Sequence, residues 1–486
     1  MSTRKDKIVI LLTIDALRVD HLSSYGYERE TDYYLSKFIK KGYKFLNAYA
    51  NGPSTASSFS SIFTSILPFL DGGYSPIPDS KIVFPQILRN YGISTIGIHS
   101  NPNLTKYYNY GKGFDIYLDG MKYQKKEEHR ETLNLKQKLI YNFNKLFNFR
   151  KLIQQFLFKL KGFNKIKNIL RNKIPFLTDV IMPITNATYN APYITKKITS
   201  FMNKKEKPLF IWAHFMDIHS PYNPPTKNVL KFRNKDFNIN ERKFLGNEIF
   251  REKNKSKITD GVIKKLKILY DSEIDYVDGS LGKILNYIDR IFEKNCLIII
   301  TADHGECFFE HGYLGHQGGA FNELLKVPFI IIEKSENSYK HSIIKTPIQL
   351  IDIAPTILDY FNISIPEDFQ GKSLIPILRG ENKKFPKKRI IISEGYQKKG
   401  RTRRSHEDGF IVLSIIMGDW KYLFEEELNR ELLFNLEEDP EENNNVADKN
   451  PQVLQDFRFI KQTHLKKVEE SKEKINISKA IRSIKL

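Results

Sequence analysis

Four apolar segments of the sequence run directly into an aspartate or a histidine. In chain order they are IVILLTID ending at Asp15, ISTIGIH ending at His99, LFIWAH ending at His214, and CLIIITADH ending at Asp303 and His304. Carboxylates and imidazoles are side chains that commonly hold a divalent metal ion. A single polar residue after an apolar segment would be weak evidence for a metal site, because a strand commonly ends at a polar residue. Four such endings together favour a shared metal site.

These side chains can meet only if the apolar segments share one sheet. An unbroken apolar run is typical of a strand that is buried on both faces, as in a parallel sheet covered by helices. In open sheets of this kind, ligands bind outside the carboxyl ends of the strands. Strand-like and helix-like segments alternate over residues 1–120. The sequence therefore predicts an α/β fold with the polar strand ends at one edge of the sheet.

A serine-rich segment, NGPSTASSFSSIFTS at residues 51–65, supplies candidate nucleophiles. Serine and threonine at the start of a helix often act as caps. The free N–H groups and the dipole at the same place also favour an anion. A hydroxyl that is coordinated to a metal can lose its proton and attack a substrate. The segment alone does not show which of four hydroxyl residues is the nucleophile: Ser54, Thr55, Ser57 or Ser58.

The composition narrows the class of protein. The chain has 486 residues and 41% hydrophobic residues, which suits a large α/β core with an appendage or two to three domains. Its two cysteines, Cys296 and Cys307, give neither a disulfide framework nor a zinc-finger pattern. The net charge of +21 favours anionic partners such as phosphate, sulfate, acidic glycans or a membrane surface, or else reflects a general bias in composition.

The sequence shows no targeting segment that we recognise. The apolar run after MSTRKDK is too short for a signal peptide and lacks a small-residue cleavage pattern. No apolar run reaches about 18 residues, so we predict no transmembrane helix. We therefore expect a cytoplasmic protein.

A basic segment interrupts the α/β pattern. Residues 122–173 hold 15 Lys or Arg against three Glu, with apolar residues at helical spacing. This composition predicts an inserted pair of basic amphipathic helices, over about 122–200. The pair is either a lid that packs on the core with a solvated basic face, or a surface for peripheral contact with a membrane or an acidic polymer.

The chain divides into three predicted regions. Residues 1–385 form a catalytic α/β domain that includes the basic insertion. Short strand-like segments over 386–450 predict a small C-terminal subdomain, and residues 451–486 predict a basic helical tail. The chain shows no internal repeat.

Four motifs resemble the sulfatase family of the alkaline phosphatase superfamily. They are IDALRVDHLSSYGY, HFMDIHSPYNPP, TADHGECFFEHGYLGH and LFNLEEDPEENNN, in the family's order. The resemblance covers most of residues 7–447. It implies an alkaline-phosphatase-like fold, in which helices sandwich a mixed, mostly parallel sheet, and a small C-terminal α+β subdomain.

The resemblance also indicates which hydroxyl residue is the nucleophile. SIFTS at 61–65 resembles the family's Leu-Thr-Gly turn, and counting back nine residues from Thr64 gives Thr55 as the nucleophile. Sulfatases carry at this position a cysteine, in the motif CxPSR, that is converted to formylglycine. This chain has neither that cysteine nor the arginine, which Phe59 replaces. A formylglycine mechanism is therefore excluded at this position, and threonine is similar to the nucleophile of phosphoethanolamine and phosphoglycerol transferases.

The resemblance implies a metal site with Asp15, Asp303 and His304 as ligands and the Thr55 hydroxyl as a fourth. The family often has two adjacent acids after the first strand, whereas Ala16 occupies the second position here. We expect one divalent ion. The mixed ligand set suits Mn²⁺, Mg²⁺ or Zn²⁺ more readily than Ca²⁺, which prefers more oxygen ligands.

Histidines complete the expected site. His214 and His219 resemble family histidines that bind the anion and assist the leaving group. His316 lies where sulfatases have a lysine and phospho-transferring relatives have a histidine. A histidine that titrates near neutral pH can protonate a departing alkoxide. The predicted catalytic residues are Thr55, His214, His219 and His316, and the predicted substrate-binding residues are Ser54, Ser58, His99 and Asn101.

Three functions remain open from the sequence. The first is a metal-dependent hydrolase that cleaves sulfate or phosphate esters through a covalent threonine intermediate. The second is a phosphoethanolamine- or phosphoglycerol-type transferase acting on glycan or lipid hydroxyls, which shares the first half-reaction. The third is an inactive protein that binds anionic glycans. We expect an anionic ester substrate and no nucleic acid partner, because no nucleic-acid-binding motif accompanies the basic segment.

Overall fold

The structure is a computed structural model that describes residues 4–71, 76–120, 189–203, 208–316, 318–334, 341–381, 385, 389–397 and 409–484. Most of the predicted basic insertion, residues 121–188, lies outside the described residues. The pair of basic helices therefore stays a prediction.

The strands of the described residues form a large central sheet, two small pairs and a C-terminal sheet. In chain order they are β1 (Ile8–Ile14), β2 (Tyr43–Phe45), β3 (Ala48–Tyr49), β4 (Ser94–Ile98), β5 (Ile116–Leu118), β6 (Leu209–Phe215), β7 (Cys296–Ala302), β8 (Cys307–Phe308), β9 (Leu314–Gly315), β10 (Phe329–Lys334), β11 (Ser342–Ile344), β12 (Ile348–Gln349), β13 (Ile390–Gln397), β14 (Phe410–Met417), β15 (Trp420–Glu425) and β16 (Arg430–Asn435).

The central sheet has eight strands in the order β11-β2-β10-β7-β1-β6-β4-β5. Strands β7, β1, β6, β4 and β5 are parallel neighbours, and β10 runs antiparallel between β7 and β2. Every residue of β1, β6 and β7 is buried, as a strand covered on both faces requires. The four apolar segments that end on Asp or His are thus adjacent strands, and the predicted mixed, mostly parallel sheet is confirmed.

Helices flank the central sheet. In chain order they are α1 (Tyr33–Ile39), α2 (Thr55–Thr64), α3 (Phe84–Asn90), α4 (Ala191–Asn203), α5 (Thr226–Phe232), α6 (Ile239–Gly246), α7 (Asp260–Ile291), α8 (Asn322–Leu325), α9 (Ile353–Tyr360), α10 (Ile375–Leu378) and α11 (Pro451–Ile484). The long helix α7 packs against α1, α4, α5 and α6, whereas α2, α3 and α9 pack against one another. Within the described part of the chain, no helix is both long enough and apolar enough to span a bilayer.

A separate antiparallel sheet, β13-β14-β15-β16, follows the central sheet in the chain. Helix α11 packs on this sheet through its apolar side chains. Phe457 is fully buried and its ring stacks on Tyr422, with the ring centroids 5.8 Å apart. His464 is also buried and lies 2.5 Å from the Glu394 carboxylate. The boundaries at residues 385 and 450 stay predictions.

Candidate functional site

The carboxyl ends of four neighbouring strands bring the predicted side chains together. Asp15 follows β1, His99 follows β4, and Asp303 and His304 follow β7, while His214 is the last residue but one of β6. The strands are parallel, so their carboxyl ends share one edge of the sheet. All five side chains are buried. The apolar strands therefore deliver acids and imidazoles to one place inside the protein.

Two carboxylates and two imidazoles surround the centre of this site. Asp15, His214 and Asp303 each place a ligand atom within 4.8 Å of those of the other two. The Nε2 atom of His214 lies 3.1 Å from Asp15 Oδ2. The Nε2 atom of His304 lies 3.6 Å from Asp303 Oδ2 and 3.9 Å from Asp15 Oδ1. The structure thus places the predicted ligands Asp15, Asp303 and His304 together and adds His214 to the group.

One oxygen of each aspartate has no hydrogen-bond partner among the described residues. These oxygens are Asp15 Oδ1 and Asp303 Oδ2, and both side chains are fully buried. The other oxygen of Asp303 accepts hydrogen bonds from the backbone N–H groups of Ala16 and His304, at 3.2 and 3.0 Å. An unpartnered buried carboxylate oxygen is costly. A divalent cation between the two aspartates would satisfy both oxygens, so the residues present fit a metal ion.

The pKa values of the two aspartates are shifted in opposite directions from their usual range. Burial raises the pKa of Asp15, but the charge on His219 and the hydrogen bond with His214 outweigh burial and hold this pKa below its usual range. Burial and the neighbouring Asp15 carboxylate raise the pKa of Asp303. The pKa of Asp303 rises in part because its negative charge and that of Asp15 repel each other in a buried site. The site therefore strongly favours added positive charge.

Thr55 lies at the edge of the carboxylate pair. Its Oγ1 donates a long hydrogen bond of 3.4 Å to Asp15 Oδ2 and lies 3.4 Å from His304 Nε2. Ser54, with an extended backbone, precedes α2, and Thr55 is the first residue of that helix. The first N–H groups of a helix lack partners within the helix, and its dipole is positive at this end. The hydroxyl therefore lies between the predicted metal ligands and an end of a helix that attracts anions.

Asn101 and His99 line the site from the loop after β4. Asn101 Nδ2 donates to Asp15 Oδ2 at 3.0 Å and to Thr55 Oγ1 at 3.4 Å. His99 accepts a hydrogen bond from the Asn101 backbone N–H and stacks on Trp212, with ring centroids 5.4 Å apart. Burial and the neighbouring His214 lower the pKa of His99, so its ring is neutral. Asn101 thus touches the centre of the site, whereas His99 supports the loop.

The two predicted substrate-binding serines flank Thr55 and make local hydrogen bonds. Ser58 is buried and its hydroxyl donates to the carbonyl of Gly52 at 2.9 Å. The hydroxyl of Ser54 lies 3.1 Å from that of Ser57. Ser58 therefore holds the turn into α2, while Ser54 is half-buried.

His219 and His316 form a pair of rings beside the metal ligands. The ring of His316 lies 4.7 Å from that of His304 and 5.0 Å from that of His219, between centroids. The Nδ1 atom of His219 is hydrogen-bonded to the carbonyl of Ser220. Burial lowers the pKa of His316, but the Glu306 carboxylate 3.0 Å away outweighs burial and raises this pKa to about 9. The contact with Glu306 therefore favours the protonated form of the His316 imidazole next to the predicted metal site.

Two polar residues of the site were not predicted from the sequence. Glu306 accepts a hydrogen bond from His316, and the hydroxyl of Thr13 lies 3.0 Å from His214 Nδ1. Both residues are buried. Each was visible as a polar residue beside a predicted ligand, Thr13 inside the apolar run IVILLTID and Glu306 two positions after His304. Their partners lie on other strands and loops, and the sequence does not reveal such contacts.

Comparison with known proteins adds to this geometry. The family profile described as Sulfatase matches residues 7–363. A second profile, described as N-sulphoglucosamine sulphohydrolase, C-terminal, matches residues 309–471. An arylsulfatase from Clostridium perfringens is 22% identical over 468 residues, which are 90% of this chain and 89% of that protein.

Two solved structures illustrate the likeness in fold. One was determined in complex with its substrate, D-glucosamine-2-N,6-O-disulfate, and matches with a TM-score of 0.64 and 17% identity over 96% of this chain and 98% of that one. The other is a phosphonate monoester hydrolase of Agrobacterium radiobacter, with a TM-score of 0.64 and 16% identity over 96% of each chain. At these identities the likeness concerns the fold.

Proposed function

Because the chain belongs to the sulfatase family of ester hydrolases, we propose that it hydrolyses sulfate or phosphate esters through a covalent intermediate on Thr55. One observation carries this proposal. The Thr55 hydroxyl lies 3.4 Å from both Asp15 and His304, beside two buried carboxylate oxygens that lack partners. A nucleophile next to a site for a cation is what in-line displacement at sulfur or phosphorus requires.

Asp15, Asp303 and His304 would hold a divalent metal ion, and His214 is close enough to join them. Such an ion would lower the pKa of the Thr55 hydroxyl and offset negative charge on the reacting group. The donor set of two carboxylates and imidazole nitrogens suits Mn²⁺, Mg²⁺ or Zn²⁺, and leaves Ca²⁺ fewer oxygen ligands than it prefers.

The attack on the ester begins with Thr55. The Thr55 hydroxyl donates to Asp15 Oδ2 and accepts a long hydrogen bond from Asn101 Nδ2, and these two contacts orient Oγ1. After the hydroxyl proton is lost to solvent, Oγ1 forms a bond to sulfur or phosphorus as the bond to the alcohol oxygen breaks. The alcohol leaves with the electron pair of that bond, and water later cleaves the new Thr55 ester and restores the hydroxyl.

Neighbouring donors stabilise the charge that develops on the transferred group. The start of α2 offers free N–H groups at Thr55, and Asn101 Nδ2 lies 3.4 Å from Oγ1. Fixed donors of this kind contribute most when they are already oriented before the reaction. The imidazole of His316 or His219 supplies the proton that the leaving alkoxide needs.

For the alcohol part of the substrate we propose a glycan. One structural relative was solved with a disulfated glucosamine, and the net charge of +21 favours an anionic substrate in this chain. We keep both sulfate and phosphate esters in the proposal, because threonine replaces the formylglycine cysteine and a phosphonate monoester hydrolase shares the fold. Threonine as nucleophile also supports the second candidate, a transferase in which an acceptor hydroxyl replaces water.

A panel of model substrates tests this proposal. p-Nitrophenyl sulfate, p-nitrophenyl phosphate and bis(p-nitrophenyl) phosphate are offered to the wild-type protein with and without EDTA, and to Thr55→Ala. We expect turnover of at least one ester that EDTA abolishes, that added Mn²⁺ or Mg²⁺ restores and that Thr55→Ala lacks. Turnover that persists in Thr55→Ala would contradict a covalent intermediate on threonine. Turnover that EDTA does not affect would contradict the need for a metal ion. Product transfer to an added alcohol would identify the transferase.

A further inference from the structure

Glu306 is a fully buried acid that the proposed reaction does not use. Both of its carboxylate oxygens accept a hydrogen bond. Oε1 lies 3.0 Å from His316 Nδ1, and Oε2 accepts from the Tyr222 hydroxyl at 2.8 Å. The carboxylate therefore has defined partners on both sides, and one of them is an imidazole at the reaction centre.

This contact determines how the His316 ring can be used. A carboxylate oxygen accepts hydrogen bonds, so the 3.0 Å contact with Glu306 favours the hydrogen on Nδ1 of His316. The Nε2 atom then lies on the ring edge that faces away from Glu306. The rings of His304 and His219 lie 4.7 and 5.0 Å from that of His316, so the His316 ring borders the candidate site.

Tyr222 fixes the carboxylate in turn. Its side chain is buried, and its ring packs edge-on against those of Phe250 and Tyr270. Its backbone N–H donates to the carbonyl of Gly246 at 2.9 Å. A Cβ added at Gly246 would lie 2.2 Å from the backbone carbonyl oxygen of Tyr222, so the two backbone segments are in close contact. Tyr222 thus has little freedom to move, and it belongs to the same loop as His219.

We propose that Glu306 is a positioning residue that holds His316 in the orientation and tautomer needed to protonate the leaving group, with Tyr222 holding Glu306. This inference rests on the proposed function and deepens it, because it assigns the leaving-group proton to His316 rather than to His219. The carboxylate itself does not touch the substrate. Its effect passes through the imidazole, so removing the imidazole removes the effect.

A double-mutant cycle tests this dependence. The wild type, Glu306→Gln, His316→Ala and the double variant are compared by kcat and KM with a p-nitrophenyl ester and with the corresponding phenyl ester, whose leaving group is poorer. We expect Glu306→Gln to lower kcat for the phenyl ester by roughly 10- to 100-fold, with a smaller loss for the p-nitrophenyl ester and little change in KM. In the His316→Ala background the same change should have no further effect.

Other variants separate positioning from structural damage. Glu310→Gln is the matched control, since this acid is four positions away and pairs with Arg18 at 2.7 Å outside the reacting groups. It should leave the ratio of the two kcat values unchanged. If Glu306→Gln does not fold, Tyr222→Phe decides, because it removes only one hydrogen bond from the carboxylate. A selective loss of rate with the phenyl ester in Tyr222→Phe would support the inference, and an equal loss with both esters, or no loss with either, would contradict it.

Two results would overturn the inference. One is an equal loss of kcat from Glu306→Gln in the wild-type and His316→Ala backgrounds. The other is an equal loss for good and poor leaving groups. Either result, obtained while Thr55→Ala is inactive, would reject the role of Glu306 and leave the proposed function standing. Full activity in Thr55→Ala would reject the proposed function itself.

Discussion

The Oγ1 atom of Thr55 lies 3.4 Å from the Nε2 atom of His304, although the two residues are 249 positions apart. Thr55 begins α2 and His304 follows β7, so this proximity joins the start of a helix to the carboxyl end of a strand. Asp15, at the end of β1, lies 3.4 Å from the same oxygen. Three distant segments of the chain thus place a hydroxyl between an acid and an imidazole.

The first prediction concerns this hydroxyl. Thr55→Ala should lower kcat by at least about 10³-fold, because the nucleophile is lost, whereas Thr55→Ser should retain part of the activity. The matched control is Thr64→Ala, the same change at the other end of α2, where the hydroxyl donates to the carbonyl of Ser60. Steady-state kinetics of the three variants should leave only Thr55→Ala inactive. Equal activities of Thr55→Ala and Thr64→Ala would contradict the role of Thr55.

The second prediction concerns the metal ion. Mn²⁺ or Mg²⁺ at about 100 times its dissociation constant should stabilise the wild type by about 2.7 kcal/mol relative to the protein in EDTA. Asp303→Asn should lose this response, and in EDTA it should be at least as stable as the wild type because it removes repulsion between two buried carboxylates. Thermal unfolding with and without the ion measures both effects.

A second aspartate serves as the control for the metal response. Asp271 is buried and pairs with His21 and Arg29, each at 2.6 Å, away from the carboxylate pair. Asp271→Asn should lower the unfolding temperature in both conditions and keep the shift caused by the ion. An ion-induced shift that is unchanged in Asp303→Asn would show that the ion binds elsewhere.

The third prediction concerns acid stability. Burial raises the pKa of Glu310, but Arg18 at 2.7 Å outweighs burial and lowers this pKa to about 2. A depressed pKa in the folded state adds stability above the ordinary pKa of 4.5, and the protein loses it as the pH falls from 4.5 towards 2. In urea unfolding, Glu310→Gln should be less stable than the wild type at pH 6, and the difference should shrink at pH 3. A difference that is constant with pH would contradict the ion pair.

The fourth prediction concerns the C-terminal helix. Phe457 on α11 is fully buried against Tyr422, whereas Phe459 on the same helix is 69% exposed. Phe457→Ala should lower the free energy of unfolding by about 3–5 kcal/mol because it leaves a cavity. Phe459→Ala, the matched control, should change it by less than about 0.5 kcal/mol. Similar losses from the two variants would mean that α11 does not pack on the C-terminal sheet as described.

Much of the fold was predictable because a strand that is buried on both faces has an almost unbroken run of apolar residues. The run Ile8–Ile14 contains one polar side chain in seven, and all seven residues are buried. The direction of β10 was not predictable in the same way. Its apolar run looks like those of its parallel neighbours, yet it pairs antiparallel with β7, since the side chains of a strand that is buried on both faces do not encode its direction.

The predicted site residues share a simple signal, which is a polar side chain at the end of an apolar strand or in a motif. Glu306 lies inside the motif TADHGECFFEHGYLGH and Thr13 inside the run IVILLTID, but neither position reveals the partner that the side chain contacts. Thr13 meets His214 across 201 positions, and the register between β1 and β6 makes this contact. Hydrogen bonds that orient a ligand thus depend on tertiary geometry, which local residue patterns do not reveal.

Covalent trapping on Thr55 tests the central claim most directly. The protein is mixed with a p-nitrophenyl ester that it turns over, quenched in acid during turnover, digested and analysed by tandem mass spectrometry. The account predicts a peptide that carries one added sulfate or phosphate group on Thr55, and no such adduct in Thr55→Ala. An adduct on a different residue, or undiminished turnover by Thr55→Ala, would contradict it.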